Sequence, residues 1–236
     1  MPAIKLSDVA AVLSPYDVVA LGSPRLPTHA MLFVGDAVRR DVTTQTSIPV
    51  SHMRPPISTD FQRVQFAGSA ELNLEERRLV KDFVDTQKRV VSSLKLRQRI
   101  EQYAIHQSSD EIHPDNTLPR FSCTTYVTSG YEQAAIQLID SLIPMKTLDD
   151  LKRTYTDPTL LAALDDPARR VRIGIGAGDS WPVIMVGYLL HSLSRSPAEI
   201  RAAPYCPIDG DEYFPREPSI DVAPSVEPDN RVGKKF

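Results

Sequence analysis

The first part of the chain alternates apolar and polar residues in short runs that are typical of β-strands. The segment YDVVAL at 16–21 is rich in β-branched residues and is followed by the turn sequence GSP. The segment 29–45, HAMLFVGDAVRRDVTTQ, contains two such runs around Gly35-Asp36-Ala37, and this arrangement predicts a β-hairpin. A further half-buried strand is predicted for FQRVQFAG at 61–68.

Two helices are predicted in the middle of the chain, because apolar residues recur there at spacings of three and four. Asn73 followed by Glu76 indicates a capped helix start. The apolar stripe of this helix consists of Leu79, Val80, Phe83, Val84, Val90 and Val91. The second helix is more apolar and is predicted to begin at Cys123, with one face formed by Val127, Tyr131, Ala134, Ala135, Leu138, Ile139 and Leu142.

Beyond Pro144 the pattern becomes mainly helical. Thr147 and Asp157 are each placed to cap a helix, VRIGIG at 171–176 predicts a strand, and 180–193 predicts a compact apolar helix. The last residues are rich in proline and poor in large apolar groups, which is typical of a disordered tail. We therefore expect a catalytic domain at 1–143, a helical C-terminal extension packed on it at 144–214, and a disordered tail at 215–236.

Composition and charge narrow the classes of partner. Hydrophobic residues make up 42% of the chain and charged residues 24%, which is ordinary for a globular protein. A net charge of −3 and a pI near 6.0 give no basic surface for nucleic acid or an anionic membrane. The N-terminus does not read as a signal peptide, and no apolar run reaches the ~18 residues of a membrane helix. We expect a protein made in the cytoplasm, without a transmembrane segment and with export by a signal-less route as an alternative.

The sequence contains no motif for a metal or a cofactor. Its two cysteines, Cys123 and Cys206, belong to no CxxC or Cys/His cluster of the kind that binds zinc. The run GIGAGD at 174–179 lacks the spacing of a dinucleotide-binding loop and the lysine of a phosphate-binding loop. The acidic run DGDE at 209–212 lacks the alternating ligands of a calcium loop. We therefore expect neither a cofactor nor a metal.

Cys123 is the main candidate for a reactive residue, because it follows a possible Ser122 cap at the start of a predicted helix. A helix N-terminus and a neighbouring imidazolium can lower a thiol pKa from ~8.5 to well below 7. A nucleophilic thiol also needs an imidazole base, a group that orients the imidazole, and N–H donors for the oxyanion. Packing is the alternative role, since free cysteine is among the most buried residue types.

The candidate bases are the histidines of the chain, and one of them opens a predicted strand. These are His29, His52, His106, His113 and His191. Asp41 lies twelve residues after His29, on the returning strand of the predicted hairpin. A three-residue loop would place Thr43 opposite His29 and Asp41 diagonally on the same face, whereas a two-residue loop would turn Asp41 away. Thr43 and Gln45 are the alternatives to Asp41 as the orienting residue.

The order of these motifs resembles the NlpC/P60 papain-like cysteine hydrolases. DVVAL at 17–21 and HAMLFVGD at 29–36 are similar to the strand pair of that family. CTTYV at 123–127, followed by Gly-Tyr-Glu, resembles the Cys helix of the circularly permuted branch, the YiiX-like and lecithin:retinol acyltransferase-like proteins. The resemblance covers about residues 15–140. It departs from the family at Tyr16, where Gly is usual, and at the two threonines after the cysteine.

The resemblance implies an α+β, permuted papain-like fold. In this fold a small antiparallel β-sheet or barrel packs on a central Cys-bearing helix, with extra C-terminal helices. The resemblance also implies that Cys123 is the nucleophile, His29 the base and Asp41 the orienting residue. The implied activity is that of a cysteine hydrolase, which cleaves an amide bond in a peptide or a peptidoglycan cross-link through a thioacyl-enzyme.

Three alternatives follow from the same residues. The permuted branch includes lipid enzymes, so a lipid ester or thioester hydrolase or acyltransferase is the second interpretation. A third interpretation is a catalytically silent binding protein that keeps the fold. An exported antibacterial effector, with a cognate inhibitor protein as partner, would share the hydrolase chemistry and differ in location.

Overall fold

The structure is a computed structural model that describes residues 4–5, 12–39, 47–51, 57–60, 63–93, 121–155, 157–175 and 178–215. Within these ranges the chain has mixed α+β structure, with short strands mainly in the first part and helices mainly in the second. The strands are β1 (Ile4–Lys5), β2 (Val12–Leu13), β3 (Val18–Gly22), β4 (Pro27–Phe33), β5 (Val38–Arg39), β6 (Ser47–Ser51), β7 (Ile57–Asp60), β8 (Phe66–Gly68), β9 (Met145–Thr147) and β10 (Ser180–Pro182).

The helices of the described residues follow the last strand of the main sheet. The longest, α1, precedes the Cys-bearing helix α2, and the others lie in the C-terminal part. Their bounds are α1 (Leu74–Ser93), α2 (Cys123–Glu132), α3 (Leu148–Thr154), α4 (Pro158–Asp165), α5 (Pro167–Arg172), α6 (Val186–Leu193) and α7 (Pro197–Ala202). The coarse α+β prediction, with a small antiparallel sheet and several helices, is confirmed.

The main sheet has six strands in the order β1-β8-β3-β4-β6-β7, and all neighbours are antiparallel. The strand predicted at 16–21 is β3, and the strand predicted at 61–68 is present as the shorter β8. The hairpin predicted over 29–45 is wrong in its pairing. Strand β5 pairs with β2 instead of β4, and β4 pairs with β6 through Leu32 with Ser51 and Phe33 with Val50.

The two faces of this sheet enter different hydrophobic clusters because side chains alternate along a strand. Ala30 and Leu32 of β4 face the larger cluster, which also contains helix residues such as Val127 and Tyr131. Met31 and Phe33 belong to a smaller cluster, whose other members are Leu13, Val19, Val50, Val64 and Ala67. Helix α2 therefore packs against one defined face of β4.

Helix α1 begins as its sequence predicts. The Asn73 backbone N–H donates to a Glu76 carboxylate oxygen (2.7 Å), and the Glu76 N–H donates to the Asn73 side-chain oxygen (2.9 Å). These reciprocal bonds form a capping box. Val80 and Val84 are buried against the larger cluster, with Phe83 packed beside them. The predicted apolar stripe thus faces the core over the first part of the helix.

Helix α2 is shorter than predicted, because it ends at Glu132. Ala135 adopts a left-handed conformation (φ 54°), which ends the helical backbone. The Ile136 N–H donates to the Tyr131 carbonyl (3.1 Å) and the Ala135 N–H to the Glu132 carbonyl (2.9 Å), as in a Schellman motif. The predicted continuation to Leu142 is therefore wrong, and Leu142 is exposed.

The C-terminal part shares the larger hydrophobic cluster with the sheet. Leu189, Leu190 and Leu193 of α6 are fully buried in it. Arg201 of α7 binds both Glu76 carboxylate oxygens (3.0 and 2.7 Å) and the Ala70 carbonyl (3.0 Å). The core is thus continuous across the boundary predicted at residue 143.

The predictions for the C-terminal part have different outcomes. Thr147 and Asp157 cap α3 and α4 as predicted. The strand predicted at 171–176 is wrong, because Asp166 caps a helix that begins at Pro167 and continues to Arg172. The helix predicted for 180–193 is present only from Val186, since 180–182 form β10. Of the predicted tail, residues 216–236 lie outside the described residues.

We expect Ala135→Gly to raise the free energy of unfolding by roughly 1 kcal/mol, because glycine adopts the left-handed conformation without the cost that alanine carries. Chemical denaturation monitored by circular dichroism measures this change. The control is Ala134→Gly at the neighbouring buried position, whose φ is not positive and which should lose stability. Equal losses in both variants would contradict the role assigned to Ala135.

We expect Gly187→Ala to lower the free energy of unfolding by about 3 kcal/mol, as severe overpacking does. A Cβ atom at Gly187 would overlap the carbonyl oxygens of Asp211 and Glu212, which are backbone atoms that cannot rotate away. Gly130→Ala is the matched control, because the nearest atom there is a Phe83 ring carbon at 3.4 Å. Equal decreases in the thermal unfolding midpoint of both variants would contradict the close approach of the Asp211 and Glu212 carbonyl oxygens to Gly187.

Candidate functional site

Cys123 is the first residue of α2, and Ser122 is its cap, as the sequence predicts. The Thr125 N–H donates to the Ser122 hydroxyl (3.1 Å), and the Ser122 N–H donates to the Thr125 hydroxyl (2.7 Å). Threonine thus fills the capping-box position that Glu or Gln usually occupies. This reciprocal pair fixes the first turn of the helix, and with it the position of the Cys123 sulfur.

A second set of hydrogen bonds joins this first turn to the C-terminal part of the chain. The Thr124 hydroxyl, which is buried, donates to the Ile184 carbonyl (2.8 Å) and lies 2.8 Å from the Ser122 hydroxyl oxygen. Ile184 belongs to the segment between β10 and α6, in which Val183 and Met185 are buried. The residue after the cysteine therefore anchors the C-terminal extension beside the helix start.

Strand β4 contacts the sulfur from the other side. Among the described residues β6 pairs with β4 at Leu32 and Phe33, so Ala30 lies beyond this paired stretch. The backbone N–H of Ala30 lies near enough to the Cys123 sulfur to lower the pKa of the thiol, as do the N–H groups of Cys123 and Thr124. Backbone N–H groups of a helix start and of a strand thus lie near one sulfur atom.

Burial raises the pKa of the Cys123 thiol, and the three backbone N–H donors act in the opposite direction with smaller effect. Burial favours the neutral thiol because a thiolate loses its hydration there. The expected lowering by a helix N-terminus is therefore outweighed in this structure. The resting thiol is neutral at pH 7, although the residue keeps part of its surface exposed.

His29 lies in β4 immediately before Ala30, so its backbone adjoins the residue that contacts the sulfur. Its side chain is half-buried. Leu21 pairs with His29 in the regular register, and the shift follows between Leu21 and Gly22. His29 therefore alternates with Ala30 and shares its face of the sheet with Met31, Phe33 and Leu21, which pack in the smaller cluster on the side away from α2. The pairing of the His29 ring with the thiol stays a prediction.

The other predicted site residues have different positions. Asp41, Thr43 and Gln45 lie outside the described residues, as do the remaining candidate bases His52, His106 and His113. The register that placed Asp41 beside His29 no longer applies, because β4 pairs with β3 and β6.

His191 belongs to a different part of the molecule. It lies on α6, where its Nε2 is 2.8 Å from the Tyr213 carbonyl oxygen and its ring packs edge-on against Phe214.

Tyr155 is a residue of this region that the sequence did not indicate. It follows α3 and packs, like Cys123, against the larger hydrophobic cluster. The pKa of the Tyr155 hydroxyl is raised mainly by burial and further by the negative charge of a Cys123 thiolate. No local pattern marks Tyr155, because its burial results from tertiary packing.

The described residues contain no cluster of three or more His, Cys, Asp or Glu side chains that could hold a metal ion. No helix among these residues has both the length and the apolar character needed to cross a membrane. Cys206 is free and exposed, and its sulfur lies 3.7 Å from the Leu142 carbonyl oxygen.

Comparison with protein-family models, curated proteins and solved structures found no match to this chain. Function is therefore inferred from the geometry and chemistry around Cys123.

We expect iodoacetamide to alkylate Cys206 at least tenfold faster than Cys123 at pH 7, because the thiolate is the reactive form and burial disfavours it at Cys123. The Cys123 rate should rise about tenfold per pH unit until its thiol titrates. Peptide mass spectrometry of timed samples measures both sites in one protein. A Cys123 rate that is equal to that of Cys206, or independent of pH between 6 and 8, would contradict the neutral resting thiol.

Proposed function

We propose that this chain is a thiol hydrolase of permuted papain-like fold, with Cys123 as nucleophile and His29 as general base. The observation that carries the proposal is the packing of α2 on β4, with the Ala30 N–H near enough to the Cys123 sulfur to act on its pKa. The proposed base His29 precedes Ala30 in the same strand, and the proposal requires its ring to reach the thiol from the face of the sheet that holds Met31 and Phe33. The order and spacing of the sequence motifs support the same assignment.

The proposed reaction has two steps, acylation of the Cys123 thiol and hydrolysis of the resulting thioester. His29 takes the proton of the Cys123 thiol as the sulfur attacks the carbonyl carbon, and a C–S bond forms. The tetrahedral intermediate collapses with cleavage of the C–N bond, and the imidazolium gives its proton to the leaving amine. Water then attacks the thioester with His29 again as base, which releases the carboxylic acid and restores the thiol.

The raised pKa of the thiol determines the type of proton transfer. Because the resting sulfur is neutral, the proposed pair exchanges its proton during attack and not beforehand. The N–H groups of Cys123 and Thr124 lie at the helix start, where they can stabilise negative charge on sulfur or on a substrate oxygen. Asp41 is the proposed orienting residue for His29, with Thr43 or Gln45 as alternatives.

An amide in a peptide or a peptidoglycan cross-link is the substrate we propose first, and a lipid ester or thioester is the second. The same chemistry would serve an antibacterial effector that is exported without a signal peptide and is neutralised by a cognate inhibitor. Growth arrest only on delivery to the periplasm would support that placement. Equal toxicity in the cytoplasm, or none in either compartment, would count against it.

A catalytically silent binding protein is the second candidate function. The observation that favours it is the raised pKa of the Cys123 thiol, which is the behaviour of an ordinary buried cysteine. In that case Cys123 packs beside β4, and the surrounding N–H groups satisfy the sulfur. Turnover separates the two candidates, since a binding protein forms no acyl adduct.

We expect Cys123→Ala to abolish hydrolysis and His29→Gln to reduce kcat by about 10²–10⁴-fold, which is the usual contribution of a general base. The substrates are fluorogenic peptide amides, peptidoglycan fragments, and p-nitrophenyl esters with short and long acyl chains. Intact-mass spectrometry under rapid acid quench detects the thioacyl adduct on Cys123. Preference among the substrates decides between amide and ester chemistry.

Cys206→Ala is the matched control, because it removes the exposed thiol and leaves Cys123 in place. Cys206→Ala should hydrolyse substrate at the wild-type rate. For the base, added imidazole should partly restore the hydrolytic activity of His29→Ala. Full activity in folded Cys123→Ala would overturn the nucleophile assignment. Absence of adduct and of turnover on every substrate would favour the binding protein.

A further inference from the structure

The first turn of α2 contains a chain of hydroxyl groups that ends at the C-terminal extension. The Ser122 hydroxyl oxygen lies 2.8 Å from that of Thr124 and 3.0 Å from that of Thr125. The Thr124 hydroxyl lies 2.8 Å from the carbonyl oxygen of Ile184, which is sixty residues further along the chain. Ser122 and Thr124 are both buried, so these hydrogen bonds are shielded from water.

The direction of these hydrogen bonds follows from the protons that are available. A carbonyl oxygen only accepts, so the single hydroxyl proton of Thr124 is donated to Ile184. The Ser122 hydroxyl is then the donor to the Thr124 oxygen, and it accepts from the Thr125 N–H (3.1 Å). Loss of the Thr124 hydroxyl would therefore remove the donor to Ile184 and the acceptor of Ser122 together.

Cys123 lies between the two buried members of this chain. It is the first residue of α2, with the Ser122 cap before it and Thr124 after it. The anchored segment on the other side is also packed, because Val183 and Met185 are buried and α6 begins directly afterwards. A shift of the first turn relative to the extension thus requires the breaking of a buried hydrogen bond.

We propose that Thr124 is a positioning residue for the reaction of Cys123, which it holds in place through its hydrogen bond to the Ile184 carbonyl. This inference rests on the proposed function, because it assigns Thr124 to the thiol chemistry of Cys123. The hydroxyl acts through the backbone of the first turn, since its partners are Ser122 and Ile184. A displacement of reacting atoms by about 1 Å can cost about 10²-fold in rate, so a fixed helix start favours catalysis.

The test compares variants of the full chain that carry Cys206→Ala, so that Cys123 is the only thiol. Thr124→Val keeps the branched shape of the side chain and removes its hydroxyl. We expect kcat per folded molecule to fall about tenfold while KM stays unchanged, because positioning acts on the reacting atoms and not on substrate affinity. Thr124→Ser keeps the donor and should restore kcat.

Ser192→Ala is the matched control. The Ser192 hydroxyl is also buried and donates to a distant backbone carbonyl, that of Leu138 (2.7 Å). It too joins the C-terminal extension to the middle of the chain, but from α6 and not at the first turn of α2. Ser192→Ala should leave kcat unchanged, whereas a general loosening of the core would lower kcat in both variants.

The alkylation rate of Cys123 is a second measurement, which does not require turnover. We expect iodoacetamide to modify Cys123 about tenfold faster in Thr124→Val than in Ser192→Ala, because a released first turn opens locally and exposes the sulfur. Chemical denaturation measures the unfolding free energy of each variant, so that a difference in global stability is separated from local opening.

The outcomes separate this inference from the proposed function. If Thr124→Val does not fold, Thr124→Ala, which leaves space for a water molecule at the Ile184 carbonyl, replaces it with the same expected changes. Parental kcat in the folded variant would overturn the inference, as would equal changes in Ser192→Ala or a failure of Thr124→Ser to restore kcat. Absence of turnover and of adduct in the parent overturns the proposed function instead, and the alkylation rates then still show whether Thr124 holds the thiol in place.

Discussion

The contact between the first turn of α2 and the Ala30 amide is the interaction on which the candidate site depends. The helix start is fixed by the Ser122–Thr125 capping box, and β4 is fixed by its pairing with β3. Both partners are regular elements of secondary structure, and the position of the sulfur follows from their packing. A reactive group held by regular secondary structure is placed more accurately than one carried by a loop.

Burial has two effects on chemistry at this position. It disfavours the thiolate in the resting protein, which raises the pKa of Cys123. It also removes competing water, and oriented N–H donors act more strongly on a developing charge in such surroundings. A neutral resting thiol is thus compatible with catalysis, provided that a base takes the proton as the substrate carbonyl is attacked.

Local signals in the sequence were sufficient for the helix starts, because a cap depends on residues only three positions apart. Asn73, Ser122, Thr147 and Asp157 all cap helices as predicted. The failures are different in kind. The partner of β4 is determined by the assembly of the whole sheet. The early end of α2 depends on the left-handed conformation of Ala135, which alanine rarely adopts.

The candidate site also combines features that local sequence determines with features that tertiary packing determines. Cys123 at a helix start and His29 in the adjoining strand were predicted from order and spacing, since both signals are local. Tyr155 was not, because its place against the same hydrophobic cluster as Cys123 is created by packing of the C-terminal part on the rest of the core. The choice of Asp41 rested on a hairpin with β4, whereas in the described residues β5 pairs with β2 and β4 pairs with β6.

The hydrogen bonds of Arg201 can form only late in the synthesis of the chain. Its guanidinium joins α7 to Glu76 at the start of α1 and to the carbonyl groups of Ala70 and Glu71. The ribosome must release nearly the whole described chain before this link can close. The bond from Thr124 to the Ile184 carbonyl also needs residues near the end of the chain, so the surroundings of the thiol are completed late in synthesis.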